Sequence, residues 1–191
     1  MSNPVNTLGG AKTTGFVTVA EMPPHGMITL RGDFAAAKFK AAVKKAAGAA
    51  IPAQRKVAVT DKATLSWMSP DELLLVLPYD KAAATQGALA AELDGTHFLA
   101  ENVSDARVMF QITGEAALIR ELVAKLAPVD MSPEAFAVGD IRRTHLNQIA
   151  AAFWLEDDSR LNVVCFRSVA RYLFDLLEVS AVKGSEVGLF A

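Results

Sequence analysis

Four arginines offer the clearest cationic chemistry in this 191-residue sequence: Arg142, Arg143, Arg167 and Arg171. Arg167 and Arg171 lie four residues apart, so both project to one side of a helix that begins there. Arginine is the preferred cation at protein interfaces because its planar guanidinium pairs well with carboxylates. Two interpretations remain open, a partner-binding cluster or separately solvated side chains. Phe190 in the C-terminal tail either docks a partner or frays, and it completes the predicted partner-contact set.

The histidines and the single cysteine do not form a chemical centre in the sequence. His25, His97 and His145 lie far apart and lack the spacing of a helical metal site. A hydrogen-bonded structural role is favoured for His145 over ligand contact. Cys165 lies in an apolar, strand-like run, whereas a nucleophilic thiol needs a positive and partly exposed environment. We therefore interpret Cys165 as a small core residue, and one cysteine excludes an internal disulfide.

Other apparent motifs are incomplete. Asp71 and Glu72 follow Ser-Pro in a typical turn between strands, which argues against a catalytic acid/base pair. The run Gly10-Ala-Lys-Thr-Thr14 lacks the spacing of a phosphate-binding loop. No Gly-x-Gly-x-x-Gly motif follows a strand, as dinucleotide binding requires. The sequence thus predicts no catalytic, cofactor-binding or metal-binding residues.

Composition narrows the classes of partner. A net charge of -2 and a pI near 5.9 argue against binding to a nucleic-acid backbone. No apolar run approaches the roughly 18 to 20 residues of a membrane-spanning helix, although 52% of residues are apolar and the mean hydropathy is +0.27. The N-terminal residues do not have the pattern of a signal peptide, which indicates a cytoplasmic protein. The apolar excess favours a buried surface against a protein partner.

The order of predicted elements occurs twice. A strand at 27–31, a helix at 33–48 and a hairpin at 65–77 are followed by the same series at 108–114, 115–127 and 152–166. Trp67 and Trp154 take corresponding places in the two hairpins. Each half reads β-α-β-β-α, so we predict an α+β fold of two tandem ferredoxin-like units related by a pseudo-two-fold axis.

The predicted domain organisation follows from this repeat. Residues 1–25 are rich in glycine and proline and are expected to form a flexible arm. Residues 26–182 form one compact domain of two repeats, about 26–95 and 104–182, with a link at 94–105, and residues 183–191 form a tail. Within the second repeat, Glu121 and Lys125 are expected to pair on the outer face of an amphipathic helix. Ser132 is expected to cap a further short helix.

Three segments carry a family resemblance: Ile28-Thr-Leu-Arg-Gly-Asp33, Trp67-Met-Ser-Pro-Asp-Glu-Leu-Leu-Leu-Val76, and Cys165-Phe-Arg-Ser-Val-Ala-Arg-Tyr-Leu-Phe-Asp-Leu-Leu177. They resemble the folate-binding domain group of the glycine cleavage T protein. Within that group, the chain looks most like the gamma subunits of heterotetrameric sarcosine oxidase. The resemblance covers about residues 25–182.

The resemblance implies a small, non-catalytic subunit without activity in isolation. Its main contact would be the alpha subunit, with beta and delta subunits in the same complex. FAD, FMN, NAD and tetrahydrofolate would be bound by the large subunits. That complex would oxidatively demethylate sarcosine to glycine, transfer the one-carbon unit to tetrahydrofolate and produce hydrogen peroxide. The alternative is a stand-alone folate-binding protein or an aminomethyl transferase-like enzyme, which would need a ligand funnel.

Overall fold

The computed structural model describes residues 4–190, which contain 11 strands and four α-helices. The strands are β1 (Lys12–Thr14), β2 (Thr18–Glu21), β3 (His25–Gly32), β4 (Val57–Val59), β5 (Thr64–Ser69), β6 (Glu72–Pro78), β7 (Phe98–Asn102), β8 (Arg107–Thr113), β9 (Ile141–Leu146), β10 (Ile149–Asp157) and β11 (Arg160–Phe166). The helices are α1 (Ala37–Ala47), α2 (Ala82–Leu93), α3 (Ala116–Ala124) and α4 (Ala170–Ser180). No described helix is long and apolar enough to cross a bilayer.

The chain divides into two compact units, one made of residues 25–105 and the other of residues 4–24 with 106–190. Each unit has a fully antiparallel sheet and two helices. This arrangement confirms the predicted α+β class and the tandem ferredoxin-like units.

In the unit of residues 25–105, the sheet order is β4-β5-β6-β3-β7. The path β3-α1-β5-β6-α2-β7 brings the last strand beside the first, which is the ferredoxin-like connection. Alternate strand residues such as Ile28 and Leu30 enter a core that also contains Phe39 and Val43 of α1. The sequence did not predict β7, because residues 94–105 were interpreted as a link.

In the other unit, the sheet order is β1-β2-β8-β11-β10-β9. The path β8-α3-β10-β11-α4 repeats the order β3-α1-β5-β6-α2 of the unit of residues 25–105. The place beside the first strand, which β7 takes in that unit, is taken here by β2 from the N-terminal segment. Val17 and Val19 are buried in the core of this unit. The prediction of a loose arm is therefore wrong for residues 12–21, where a short alternating pattern is sufficient for a strand. Residues 1–3 of that predicted arm lie outside the described part of the chain.

Trp67 and Trp154 do not occupy equivalent positions in the two hairpins, so that prediction is wrong. Trp67 pairs with Leu73, whereas Trp154 pairs with Asn162. Counted from the hairpin turns, Trp67 corresponds to Leu155, which pairs with Leu161. A shift of one residue places a side chain on the opposite face of its sheet. Trp67 therefore lies on the helix-covered face, and Trp154 lies on the other face, where it is buried.

Residues 132–136 also differ from the prediction. Phe136 and Ala135 donate their backbone N–H groups to the carbonyl of Ser132, so the segment forms a single turn and no helix. This turn is held in place without a helix. The Phe136 side chain is fully buried, and Arg142 and Arg120 donate hydrogen bonds to the carbonyl oxygens of Ala135 and Phe136.

Candidate interaction surface

The side chain of Arg142 is engaged within its own unit. Its guanidinium donates hydrogen bonds to the carbonyl oxygens of Ile141 (2.9 Å) and Ala135 (2.7 Å) and lies 5.1 Å from the centre of the Phe136 ring. Three contacts within its own unit explain its position. Arg142 therefore holds the 135–136 turn against β9, and this role weighs against its predicted part in partner contact.

Arg143 and His145 lie on the opposite face of the edge strand β9 from Arg142, since strand side chains alternate. They pair with Ala152 and Ala150 of β10, and both are exposed. The structure thus separates the adjacent arginines Arg142 and Arg143, which a sequence motif would treat as one pair.

Arg167 and Arg171 lie at the junction between β11 and α4, and both are exposed. Arg171 is 3.4 Å from Asp175, one turn further along α4. Within residues 4–190, the side chain of Arg167 has no hydrogen-bond or ion-pair partner. The preceding residue, Phe166, is 46% exposed, and the guanidinium of Arg107 lies 4.1 Å from its ring centre. Cation–π contact therefore orients an exposed aromatic ring beside two exposed arginines.

Exposed apolar side chains concentrate in the C-terminal part of the described chain. Six of the ten exposed large apolar residues lie between residues 166 and 189: Phe166, Tyr172, Val179, Val182, Val187 and Leu189. Isolated exposed apolar residues are normal on a protein surface, whereas their concentration marks an interaction surface. We therefore treat β11, α4 and the tail as the candidate interaction surface.

Phe190 is half-buried and packs against the core of its own unit. The preceding residues are anchored by Glu121 of α3, whose carboxylate accepts hydrogen bonds from the N–H groups of Val187 (2.7 Å), Gly188 (2.9 Å) and Leu189 (3.2 Å). The described part of the tail does not fray, and the contact of Phe190 with the core weighs against a docking role. Ala191 lies outside the described residues.

Glu121 is 2% exposed, so the prediction that it lies on the outer face of its helix is wrong. The predicted pair with Lys125 is present, at 3.5 Å. The hydrogen bond from Val187 is the main cause that lowers the pKa of Glu121, against the opposing effect of burial. The apolar pattern of α3 predicts which side of the helix Glu121 lies on. It does not predict that the C-terminal tail covers that side.

A second buried carboxylate anchors the N-terminal segment. Glu21 accepts hydrogen bonds from the backbone N–H groups of Leu8 (3.0 Å) and Gly10 (2.8 Å). Glu21 is 7% exposed and lies at the end of β2. Both ends of the described chain are therefore anchored to the same unit by a buried acid.

Sequence reasoning also missed Arg120. Its guanidinium is 5% exposed and donates hydrogen bonds to the carbonyl oxygens of Met131 (2.8 Å) and Phe136 (2.7 Å). The helical pattern gave no signal for it, because Arg120 lies outside the apolar face that Ile119 and Leu122 form on α3. Arg120 and Arg142 together fix the segment between α3 and β9.

Cys165, Asp71 and Glu72, which the sequence analysis also considered for chemistry, are held by burial or by contacts within the fold. Cys165 is buried in β11, and desolvation raises the pKa of its thiol to about 12. Asp71 accepts a hydrogen bond from Ser69 (2.6 Å) in the β5–β6 turn, and Glu72 pairs with Arg31 at 3.0 Å. Within the described residues there is no group of three His, Cys, Asp or Glu side chains arranged to hold a metal ion.

The turn between β10 and β11 is held by charged hydrogen bonds. Asp157 accepts bonds from the Arg160 guanidinium (2.7 Å) and from the Ser159 hydroxyl and N–H (both 2.8 Å). These bonds lower the pKa of Asp157 to about 2.

A chain of side-chain hydrogen bonds begins beside this turn. The Glu156 carboxylate accepts a hydrogen bond from the Asn162 amide, and the Asn162 amide oxygen accepts one from Gln111 of β8. This polar chain orders one face of the sheet.

The fold defines a duplicated α+β protein of two ferredoxin-like units. The structure matches an aminomethyltransferase T of the glycine cleavage system from Bartonella henselae with a TM-score of 0.59 and 12% identity, over 90% of this chain and 48% of that one. It matches a heterotetrameric sarcosine oxidase from Corynebacterium sp. U-96 with a TM-score of 0.79 and 23% identity, over 89% of this chain and 87% of that one. Identities this low establish the fold alone.

The sequence identifies the family. The profile of the sarcosine oxidase gamma subunit family matches residues 31–182, so the chain belongs to that family. A sarcosine oxidase subunit gamma from Arthrobacter sp. is 29% identical over 116 residues, which are 60% of this chain and 55% of that relative. The matched segment thus spans a little over half the length of the relative.

Proposed function

We propose that this chain is the small, non-catalytic gamma subunit of a heterotetrameric sarcosine oxidase. The match of the family profile to residues 31–182 is the observation that carries this proposal. A subunit role also explains why exposed apolar residues concentrate in residues 166–189. The alpha subunit is the main contact, and the beta and delta subunits belong to the same complex.

The complex acts on sarcosine in the cytoplasm. It demethylates sarcosine to glycine, passes the one-carbon unit to tetrahydrofolate and reduces oxygen to hydrogen peroxide. FAD, FMN, NAD and tetrahydrofolate bind to the large subunits. The contribution of this chain is assembly of the complex.

Within the proposed contact set, Arg143, Arg167 and Arg171 have exposed side chains that suit pairing with partner carboxylates. Arg142 and Phe190 contribute through the shape of their own unit, because both are engaged there. The contact is thus centred on the β11–α4 junction and on the exposed face of β9.

Co-expression tests the proposal. The chain is produced with the alpha, beta and delta subunits of its own complex, and assembly is followed by size-exclusion chromatography together with sarcosine-dependent peroxide formation. We expect co-elution, and we expect assembly or activity to depend on this chain. Elution as a separate species of about 20 kDa, with full activity of the complex in its absence, would contradict the proposal.

The alternative of a stand-alone folate-binding protein or aminomethyl transferase is not favoured by the family match. It becomes the next hypothesis if co-elution fails. Titration of the isolated chain with a reduced folate then measures binding directly.

A further inference from the structure

We propose that the β11–α4 patch, made of Phe166, Arg167, Arg171 and Tyr172, is the docking site for an acidic surface of the partner, the alpha subunit. This inference rests on the proposed function. It narrows the proposed contact to these four residues and adds the chemistry of the partner surface that fits them.

The composition of the patch is that of an interface centre. Two aromatic and two arginine side chains occur within seven consecutive residues, and all four are exposed. Phe166 is 46% exposed and Tyr172 is 53% exposed. Aromatic residues and arginine are the types that most often dominate binding free energy. Elsewhere in the described chain, the exposed large apolar residues are aliphatic.

The charge of the patch opposes the charge of the whole chain. Residues 166–172 contain two arginines and no acidic residue, although the chain has a net charge of -2. Within residues 4–190, the one ionic partner of Arg171 is Asp175 at 3.4 Å, and both side chains are more than half exposed. Exposed surface pairs of this kind contribute little to stability, so a partner carboxylate can replace Asp175 at little cost. Carboxylates on the partner therefore provide the complementary charge.

The patch is ordered before binding. Phe166 pairs with Arg107 across β11 and β8, and the Arg107 guanidinium lies 4.1 Å from the Phe166 ring centre. The following residues form a 3-10 turn at Arg167–Val169 and lead directly into α4. A side chain held on a strand and a short turn loses little conformational entropy on binding. The partner surface thus combines an apolar recess for Phe166 with nearby carboxylates.

The test compares three variants in the co-expressed complex. Arg167→Glu with Arg171→Glu reverses two charges, Phe166→Ala removes the ring, and Lys40→Glu with Lys44→Glu is the matched control. Lys40 and Lys44 are exposed and lie four residues apart on α1, so their reversal makes the same charge change outside the candidate interaction surface. We expect the first two variants to raise the dissociation constant of this chain at least about tenfold and the control to leave it within about twofold. Near-UV circular dichroism of each isolated variant checks that its fold is retained.

The outcomes separate the two proposals. If the wild-type chain does not co-elute with the other subunits, both the subunit role and the patch assignment are overturned. If the wild-type chain co-elutes and the patch variants bind equally well, only the patch assignment is wrong. Equal weakening by the Lys40→Glu, Lys44→Glu control also overturns it, because the effect would then reflect overall charge. Selective weakening by the patch variants supports it.

Discussion

The carboxylate of Glu121 and the backbone N–H of Val187 are joined by a 2.7 Å hydrogen bond, although 66 residues separate them in the sequence. The same carboxylate bonds Gly188 and Leu189, and Lys125 donates to the carbonyl of Ser185 at 2.7 Å. One turn of α3 therefore anchors the end of the described chain. The tail in turn covers the acid, because Glu121 is 2% exposed.

Glu121→Gln is expected to lower the free energy of unfolding by about 1–3 kcal/mol. Glutamine keeps one neutral acceptor oxygen and has an NH2 donor in place of the other, so at least one of the three N–H groups of the tail loses its acceptor and the charge is lost. Urea denaturation measures the change, and carboxypeptidase digestion should remove the tail faster. The control Glu178→Gln, at an exposed position of α4, should stay within about 0.5 kcal/mol of wild type. Unchanged stability and digestion of the Glu121 variant would contradict this role.

Acidification should release the same tail. The pKa of Glu121 is lowered in the folded protein from its ordinary value of 4.5, chiefly by the Val187 hydrogen bond. A lowered folded-state pKa means that its stabilising contribution is complete above the unfolded value and is lost as pH falls through the folded value. Amide exchange at residues 187–189, corrected for intrinsic rates, should lose protection as the pH falls below the ordinary value of 4.5 and through the lowered folded-state pKa. In the Glu121→Gln variant this pH-dependent step should be absent.

Two glycine substitutions should have opposite effects. A Cβ at Gly15 would lie 1.7 Å from the carbonyl oxygen of Ala181, next to the bond from the Phe16 N–H to that same oxygen. We expect Gly15→Ala to destabilise the protein by more than about 2 kcal/mol, since backbone must move. Gly87 lies within α2 with nothing within 4 Å of the added Cβ. Gly87→Ala should stabilise by up to about 1 kcal/mol in thermal or urea denaturation. A stable Gly15→Ala variant would refute the close approach.

The tryptophans should report different environments. Trp154 is 2% exposed, whereas Trp67 is only partly buried. In Trp67→Phe, the remaining emission from Trp154 should be blue-shifted and weakly quenched by acrylamide. In Trp154→Phe, emission from Trp67 should lie at longer wavelength and be quenched more strongly. Equal quenching in the two variants would contradict the difference in burial between the two tryptophans.

The thiol of Cys165 should be unreactive in the native state. Burial raises its pKa to about 12, so the thiolate fraction near neutral pH is negligible. A disulfide reagent should therefore modify Cys165 only at the rate of unfolding and rapidly in denaturant. The unfolded protein is the matched control, and prompt reaction of the native protein would contradict the buried position.

Local patterns predicted most of the helices and strands of the repeat. α1, α3 and α4 have apolar residues at helical spacing, and the runs around β6 and β11 have the length and composition of buried strands. Strand β7 and the strands in residues 12–21 were missed. These segments are short and mixed in composition, and they become strands because the sheet edges beside β3 and β8 supply hydrogen-bond partners.

The partner-contact role of the five candidate residues stays a prediction. Arg167 and Arg171 are exposed, whereas Arg142 and Phe190 are engaged within their own unit. A sequence pattern gives the side of a helix or strand on which a residue lies. It does not give the loop or tail that later covers that side, and Glu121 shows the difference.

The sequence by itself determined the α+β class, the repeated order of elements and the family, since these depend on local periodicity and on residues close together in the chain. Tertiary structure alone decided that β2 completes the second sheet, that Trp67 and Trp154 occupy opposite faces, and that buried Arg120 and Glu121 hold distant backbone groups. Each of these depends on pairing between residues distant in sequence. The free energy of such pairing comes from burying apolar surface while satisfying every buried polar group, which no local pattern specifies.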